Sequence, residues 1–300
     1  MTIKPGIYPD FPIADYHADP CPEPSLSQSI AKVILERSPG HAMYAHPRLG
    51  KGVRGDDDEE KYSRAKAIGD AAHKLILGRG KKVVTLDYDN WRTKDSKNDR
   101  DAVISRGMTP ILLKDMDEVR LMVSVFHGTM KVHEAGEFVP GQTEVAIFWQ
   151  EGAFWFRSLI DSLSTDNLEV VDLKTTGKDC APAQAGKVMA DAGWDLQASF
   201  IERGLNVLHP EGAGKRRFRF ISIEQDPPFG LVVNDLTEGV LTIGRQKVDR
   251  AVRMWKRCLT EKVWPTYPRV VNYPELPAWH VSQWESREMG FLCETAKSQG

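Results

Sequence analysis

The stretch from Glu144 to Lys174 constrains the fold of this 300-residue chain more than any other. Three runs, Glu144 to Trp149 (EVAIFW), Ala153 to Leu163 (AFWFRSLIDSL) and Leu168 to Lys174 (LEVVDLK), are apolar and rich in β-branched or aromatic residues. Gln150-Glu151-Gly152 and Ser164-Thr165-Asp166-Asn167 break them, both with turn-forming composition. The pattern predicts a three-strand meander. It carries Glu144 on its first strand, Asp161 on its second, and Asp172 and Lys174 on its third. Side chains alternate across a strand, so Asp172 and Lys174 share a face.

These residue types suit phosphodiester hydrolysis. Two carboxylates can hold Mg2+, a hard cation that prefers oxygen ligands. One or two such ions can activate water and stabilise a leaving oxygen. A lysine beside them can orient or deprotonate that water and offset phosphate charge. Asp161, Asp172 and Lys174 fit those roles, and Glu144 reaches toward the same place. A lone Asp-x-Lys in a strand is usually a solvated face; four such residues on one short meander make a stronger pattern. Two flanking residues join them. His73 lies in a helix predicted over Lys61 to Leu77, whose apolar stripe is Ala65, Ile68, Ala72, Leu75 and Ile76 and whose stop is Gly78. Its small neighbours, Gly69 to Ala72, permit close approach. Gln197 lies on a later helix, about Ala181 to Leu208, broken near Gly193.

The ordered set Gly69-x-x-x-His73, Glu144, Asp161, Asp172-x-Lys174 and Gln197 resembles the PDDEXK nuclease superfamily in its RecB-like branch, and within it the phage and prophage RecE type, exonuclease VIII. Gly6-Ile7-Tyr8, Tyr16-His17, Ser25-Leu26-Ser27-Gln28-Ser29, Ser38-Pro39-Gly40-His41, Trp264-Pro265-Thr266-Tyr267 and Leu276-Pro277-Ala278-Trp279 extend the similarity over nearly the whole chain. One departure stands out: the branch often has an aromatic four residues after the glutamine, and here that residue is Ile201, with Phe200 beside it. The iron–sulfur members cluster their cysteines. Cys21, Cys180, Cys258 and Cys293 are scattered, so no iron–sulfur cluster is expected.

The resemblance implies an α/β restriction-endonuclease-like core, a central mixed β-sheet flanked by helices with extended N- and C-terminal arms. It implies a Mg2+-dependent exonuclease, with Mn2+ able to substitute, degrading linear double-stranded DNA from its 5′ ends and leaving 3′ overhangs for a single-strand annealing partner of RecT type. A homo-oligomeric ring and a bacterial cytoplasm are implied with it. Asp161, Asp172, the Leu173 carbonyl, Glu144 and His73 would hold metal, Lys174 would serve the water, and Gln197 would orient Lys174 or a phosphate. Ser27, Ser29 and Arg37 are candidates for a terminal phosphate; Lys215, Arg216 and Arg217, or Arg92, Lys94 and Lys97 in a predicted loop, for the DNA backbone. A structure-specific or single-strand endonuclease and a catalytically silent DNA-binding module are the alternatives.

The net charge of −2 does not advertise a nucleic-acid partner, but charge can be distributed unevenly. The acidic run Asp56 to Glu60 reads as a solvated loop before the His73 helix. Scattered cysteines argue against a disulfide framework. No stretch is long and apolar enough to span a bilayer, and no apolar signal core opens the chain. One domain is expected over 1–279, with an arm and helix to 58, a core over 59–236, and a C-terminal helix and arm over 237–279; 280–300 reads as a tail. Residues 1–24 should be extended, 40–58 loop, and the strip up to Pro110 irregular. Helices are expected from Ser27 to Arg37, Leu113 to Met130 and Thr237 to Glu261, with strands over 217–224 and 229–236.

Overall fold

A computed structural model of the chain describes residues 3–50, 62–132 and 138–297. The acidic run at 56–60 and the side chain of Cys293 lie outside what is described. The chain divides into two units, Met1–Thr266 and Tyr267–Gly300.

The arm expected to be extended carries β1 (Gly6–Tyr8), a short α1 (Ile13–His17) and β2 (Ser25–Ser27). Ser27 caps α2 (Gln28–Glu36), its hydroxyl accepting the Ile30 N–H. Where loop was expected from residue 40, α3 (Pro39–Ala45) forms. Its signal was present: Ser38 accepts the His41 N–H, and Pro39 occupies the first turn, where a missing donor costs nothing. Ser63 caps α4 (Arg64–Leu77), and Gly78 ends it with φ 73°.

The strip expected to be irregular contains β3 (Val83–Leu86), α5 (Lys94–Ser105) and β4 (Thr109–Leu112). β3 and β4 pair in parallel as a small separate sheet. Lys94 and Lys97 therefore stand on a helix, capped by Thr93, and not in a loop. That helix is polar nearly all round, so no apolar stripe announces it.

α6 (Leu113–Val132) leads to the meander: β5 (Gln142–Glu151), β6 (Phe154–Leu163) and β7 (Glu169–Thr176), paired antiparallel in sequence. α7 (Ala185–Ala192) and α8 (Trp194–Leu208) follow, separated by Gly193 with φ 75°. β8 (Arg217–Glu224) runs parallel to β7, β9 (Leu231–Asp235) antiparallel to β8, and α9 (Glu238–Glu261) completes the first unit. The second unit contains α10 (Ala278–Lys297), where the sequence reading had only a tail.

The main sheet has the order β1-β5-β6-β7-β8-β9, with β2 added in parallel to β6. It is mixed and covered on both faces. Val145, Ile147, Trp149 and Phe156 pack with residues of α2, α8 and α9, whereas Val171, Leu173, Ile221 and Ile223 pack with α4 and α6. Ala146, Phe148 and Trp155 meet Ile3, Tyr16 and Cys21 of the N-terminal arm. Burial of each large apolar side chain contributes about 1.5–3 kcal/mol.

Glu151, at the end of β5, ties the sheet to two helices. Its carboxylate accepts Arg203 Nε at 2.5 Å and Nη2 at 2.9 Å from α8, and Lys256 Nζ at 2.9 Å from α9. Burial alone would push this carboxyl up; the hydrogen bonds from Arg203 and Lys256 outweigh it and hold it at about 2. Its ordinary value is 4.5, so the stabilisation is complete above that pH and is lost as pH falls toward 2. Glu151→Gln should cost about 2 kcal/mol at pH 7. Urea unfolding of both proteins at pH 7 and pH 4 should show a narrower gap at pH 4; an equal gap at both would contradict this.

Candidate active site

The site forms where the sheet comes apart. β6 and β7 pair at Ser162↔Val171 and Leu163↔Val170 but not at the next positions, Asp161 and Asp172. β2 meets β6 only further back, from Ser25↔Trp155 to Ser27↔Arg157. A cavity of about 450 Å3 opens at this fork. It is lined by Arg157, Leu159 and Asp161 of β6, Asp172 to Thr175 of β7, His73 of α4 and Gln197 of α8. Tyr16, His17, Ser27, Gln28 and Ser29 close it from the N-terminal arm. The β5–β6 ladder also skips one pair, passing from Thr143↔Ser162 to Val145↔Ile160. The residue left out on β5 is Glu144, with φ 54°. Non-glycine residues in that region carry about 1–3 kcal/mol of strain and cluster at functional sites.

Backbone groups released by the fork must find other partners. The Leu173 N–H donates to Asp161 Oδ2 at 2.9 Å. The Leu173 carbonyl lies 2.8 Å from His73 Nε2, and a carbonyl can only accept, so the proton sits on Nε2. In the neutral ring that a metal ligand must be, this leaves the Nδ1 lone pair free, 3.9 Å from Asp161 Oδ2; protonated, the same nitrogen faces Asp161 as a cation. His73, Glu144 and Asp161 each offer a ligand atom, all within 4.8 Å of one another. The Leu173 carbonyl, expected as a ligand, holds the imidazole with one lone pair and retains the second.

Asp172 faces Lys174 and Gln197. Lys174 Nζ lies 2.6 Å from Asp172 Oδ1 and donates to Gln197 Oε1 at 3.2 Å. Gln197 Nε2 donates to Asp172 Oδ2, closing a triangle. Asp172 Oδ1 is buried, and its near partner is the Lys174 ammonium. Burial, then the charge of Asp172, pushes the Asp161 carboxyl well above the usual range, against the pull of His73 and Lys174. Glu144 is also pushed up, by burial and by Asp70, against the pull of His73. For Lys174, burial pulls down, and Asp172 and Asp161 more than reverse it. A pocket lined by carboxylates with an imidazole nitrogen beside them is a donor set that suits a divalent cation.

The other sequence candidates separate. Ser27 and Ser29 line the cavity, their hydroxyls 3.0 Å apart. Arg37 sits at the opposite end of α2, exposed, so it does not join them. Arg216 is removed from the phosphate candidates: it is 8% exposed, and its guanidinium donates to Asn206, to the Asn167 and His209 carbonyls and to the Leu205 carbonyl. Arg217 pairs with Asp235, and Lys215 is exposed nearby, both at the end of β8 beside Glu169. Ile201 points into the core and is 1% exposed.

Arg157 escaped the sequence reading. It is 3% exposed, donates to the Ser25 carbonyl at 2.8 Å and lies 3.1 Å from Asp19 Oδ1. Burial would raise the Asp19 carboxyl, but His46, Arg157 and Ser25 hold it low. Its signal was an arginine inside the otherwise apolar run FWFRSLI.

A mixed sheet flanked by helices, with carboxylates at a fork between central strands and a lysine two residues beyond one of them, defines a PDDEXK-type fold. The family model for the PDDEXK-like domain of unknown function DUF3799 matches residues 49–276, and the chain belongs to that family. The chain also resembles a crystal structure described as a "Putative exonuclease" from Eubacterium rectale, with a TM-score of 0.52 and 13% identity, covering 84% of this chain and 91% of that one. At that identity the likeness speaks to the fold. No curated protein matches.

The approach of α4 to β7 depends on Gly69: a Cβ there would lie 2.9 Å from Thr175 Oγ1. Alanine at an internal helix position otherwise gains about 0.5–1 kcal/mol over glycine. Gly69→Ala should therefore give no gain in the wild-type background and should weaken Mn2+ binding by displacing His73. In a Thr175→Ala background the same change should raise the melting temperature. Calorimetric melting and Mn2+ titration of the four proteins check this; a gain in both backgrounds would show that the contact is not restrictive.

Proposed function

We propose that this protein is a metal-dependent deoxyribonuclease that degrades linear duplex DNA from its ends. The observation that carries this reading is the joining, at one fork in the sheet, of His73, Glu144 and Asp161 with the closed triangle of Asp172, Lys174 and Gln197. His73 Nδ1, Glu144, Asp161 and Asp172 would hold the cation, Mg2+ with Mn2+ as substitute. When bound, it supplies Lewis-acid polarisation of the phosphodiester and offsets developing negative charge. Lys174 orients the attacking water and takes part in its proton transfer. Gln197 keeps Lys174 and Asp172 in register. Ser27 and Ser29, at the amino end of α2, offer hydroxyls and a helix N-terminus toward a phosphate.

The resemblance to the RecE type supports the finer reading. Cleavage proceeds from the 5′ end, 3′ overhangs are left for an annealing protein of RecT type, and the enzyme is a phage- or prophage-encoded homo-oligomeric ring in a bacterial cytoplasm. Among the described residues no helix is long and apolar enough to cross a membrane.

Linear duplex DNA labelled at the 5′ or the 3′ end, incubated with Mg2+ or with EDTA beside a closed circle, tests the reading. Loss from the 5′ end only with Mg2+, and an intact circle, are expected. Nicking of the circle would make it an endonuclease, and no cleavage with any divalent cation would leave a DNA-binding module. Asp172→Ala and Lys174→Ala should each lower the rate at least about 10³-fold with an unchanged circular dichroism spectrum. Full activity in either would remove that residue from the site.

A further inference from the structure

Lys174 has a third partner besides Asp172 and Gln197. Its Nζ lies over the ring of Phe220, 5.6 Å from the centroid. That is within the range of attraction between an ammonium and a ring face. The register between β7 and β8 brings the two together. Asp172 is opposite Phe220 and Lys174 opposite Ser222 in a parallel pair, so all four share one face of the sheet. Phe220 in turn stacks on Trp194, with centroids 4.9 Å apart and planes 4° from parallel. Phe220 is 2% and Trp194 4% exposed. Trp194 opens α8, and Gln197 follows three residues later on the same side of that helix. One helical turn therefore both braces the ring and supplies the amide that Lys174 meets.

We propose that Phe220, braced by Trp194, is a positioning residue for DNA cleavage that holds the Lys174 ammonium at its ring face. The inference rests on the nuclease reading above. Asp172 and Gln197 are polar partners that water or substrate can displace from Lys174. A buried ring is not displaced in that way, so it keeps the ammonium in place while the polar contacts change.

Replacement of Phe220 by mono-, tri- and pentafluorophenylalanine tests this, because fluorine drains the negative face of the ring with little change of shape. The catalytic rate on linear duplex DNA should fall stepwise, by about 3- to 30-fold at the pentafluoro ring. KM should stay within about two-fold and the melting temperature should be unchanged, and Phe220→Tyr should retain the rate. A flat series in an active enzyme overturns the proposal, since packing alone does not respond to ring electronics. If the unsubstituted protein cleaves no DNA, the nuclease reading fails instead, and the contact is then judged without activity. In protein carrying 13C at lysine Cε, the Lys174 resonance, assigned by its loss in Lys174→Met, should be shifted upfield by the ring and should return to the ordinary lysine position in Phe220→Leu. An unshifted Lys174 resonance overturns the proposal, whatever the fluorinated proteins do.

Discussion

Everything at the site depends on the parting of β6 from β7 at Asp161, one residue before Ser162, and at Asp172, one after Val171. A broken ladder inside a sheet is costly unless the released N–H and C=O groups are met elsewhere. Here both groups of Leu173 are met by side chains of the site itself, the N–H by Asp161 and the carbonyl by His73. The residues that keep the opened sheet satisfied are the same ones that gather the ligand atoms. Removing either would disturb the fold and the site through one pair of hydrogen bonds.

The fork also concentrates negative charge. Glu144 joins Asp161, and Asp172 lies on the strand beside them, with Lys174 as the cation in direct contact. Charges of one sign in such a place are expensive, and the upward push on the carboxyls of Asp161 and Glu144 expresses that cost. A divalent cation held there would relieve it directly. The left-handed backbone of Glu144 belongs to the same arrangement: it is the residue that leaves its ladder opposite Asp161, so the meander tolerates strain on β5 where its carboxylate is needed.

The core of this site was legible because strand patterning is local. Apolar alternation with two turns fixes the meander, and acids or a lysine within it stand out against their neighbours. The ordered spacing then adds His73 and Gln197. What escaped was of two kinds. α5 and α10 lack a clear apolar stripe or follow a proline-rich segment, so no periodicity marks them, and α3 is too short to show one. Arg157, Phe220 and Trp194 matter through partners far along the chain, with Phe220 reaching Lys174 only through the register of β8 against β7. Register between distant strands leaves no trace in either strand's own pattern. The converse error, Arg216, has the same origin: a basic run looks like surface until a turn folds one member inward among carbonyls.

The two sides of the sheet contribute differently, and the sequence shows how each is brought close. α4 carries His73 against β7, and a side chain larger than hydrogen at Gly69 would strike Thr175. α8 carries Gln197 to the other face of the same strand, and it starts at Gly193, whose φ of 75° lets the chain turn from α7 into a new helix at that point. Farther along, a Cβ on Gly204 would lie 2.7 Å from the Trp149 ring, so α8 is seated tightly on β5 as well. Glu151 then fastens α8 and α9 to the end of that strand. The lysine is thus held from a helix whose position is set at both ends, by a glycine turn at one and by close packing and an ion-paired carboxylate at the other. The histidine is held from a helix fixed by its own anchors: Arg64 pairs with Asp115 and Glu118, Asp70 accepts from Thr109, and Ile68, Ala72 and Ile76 are buried against α6 and the sheet. Both halves of the site are thus built on helices packed and ion-paired against the sheet, which is the requirement for groups that must orient water at a fixed place.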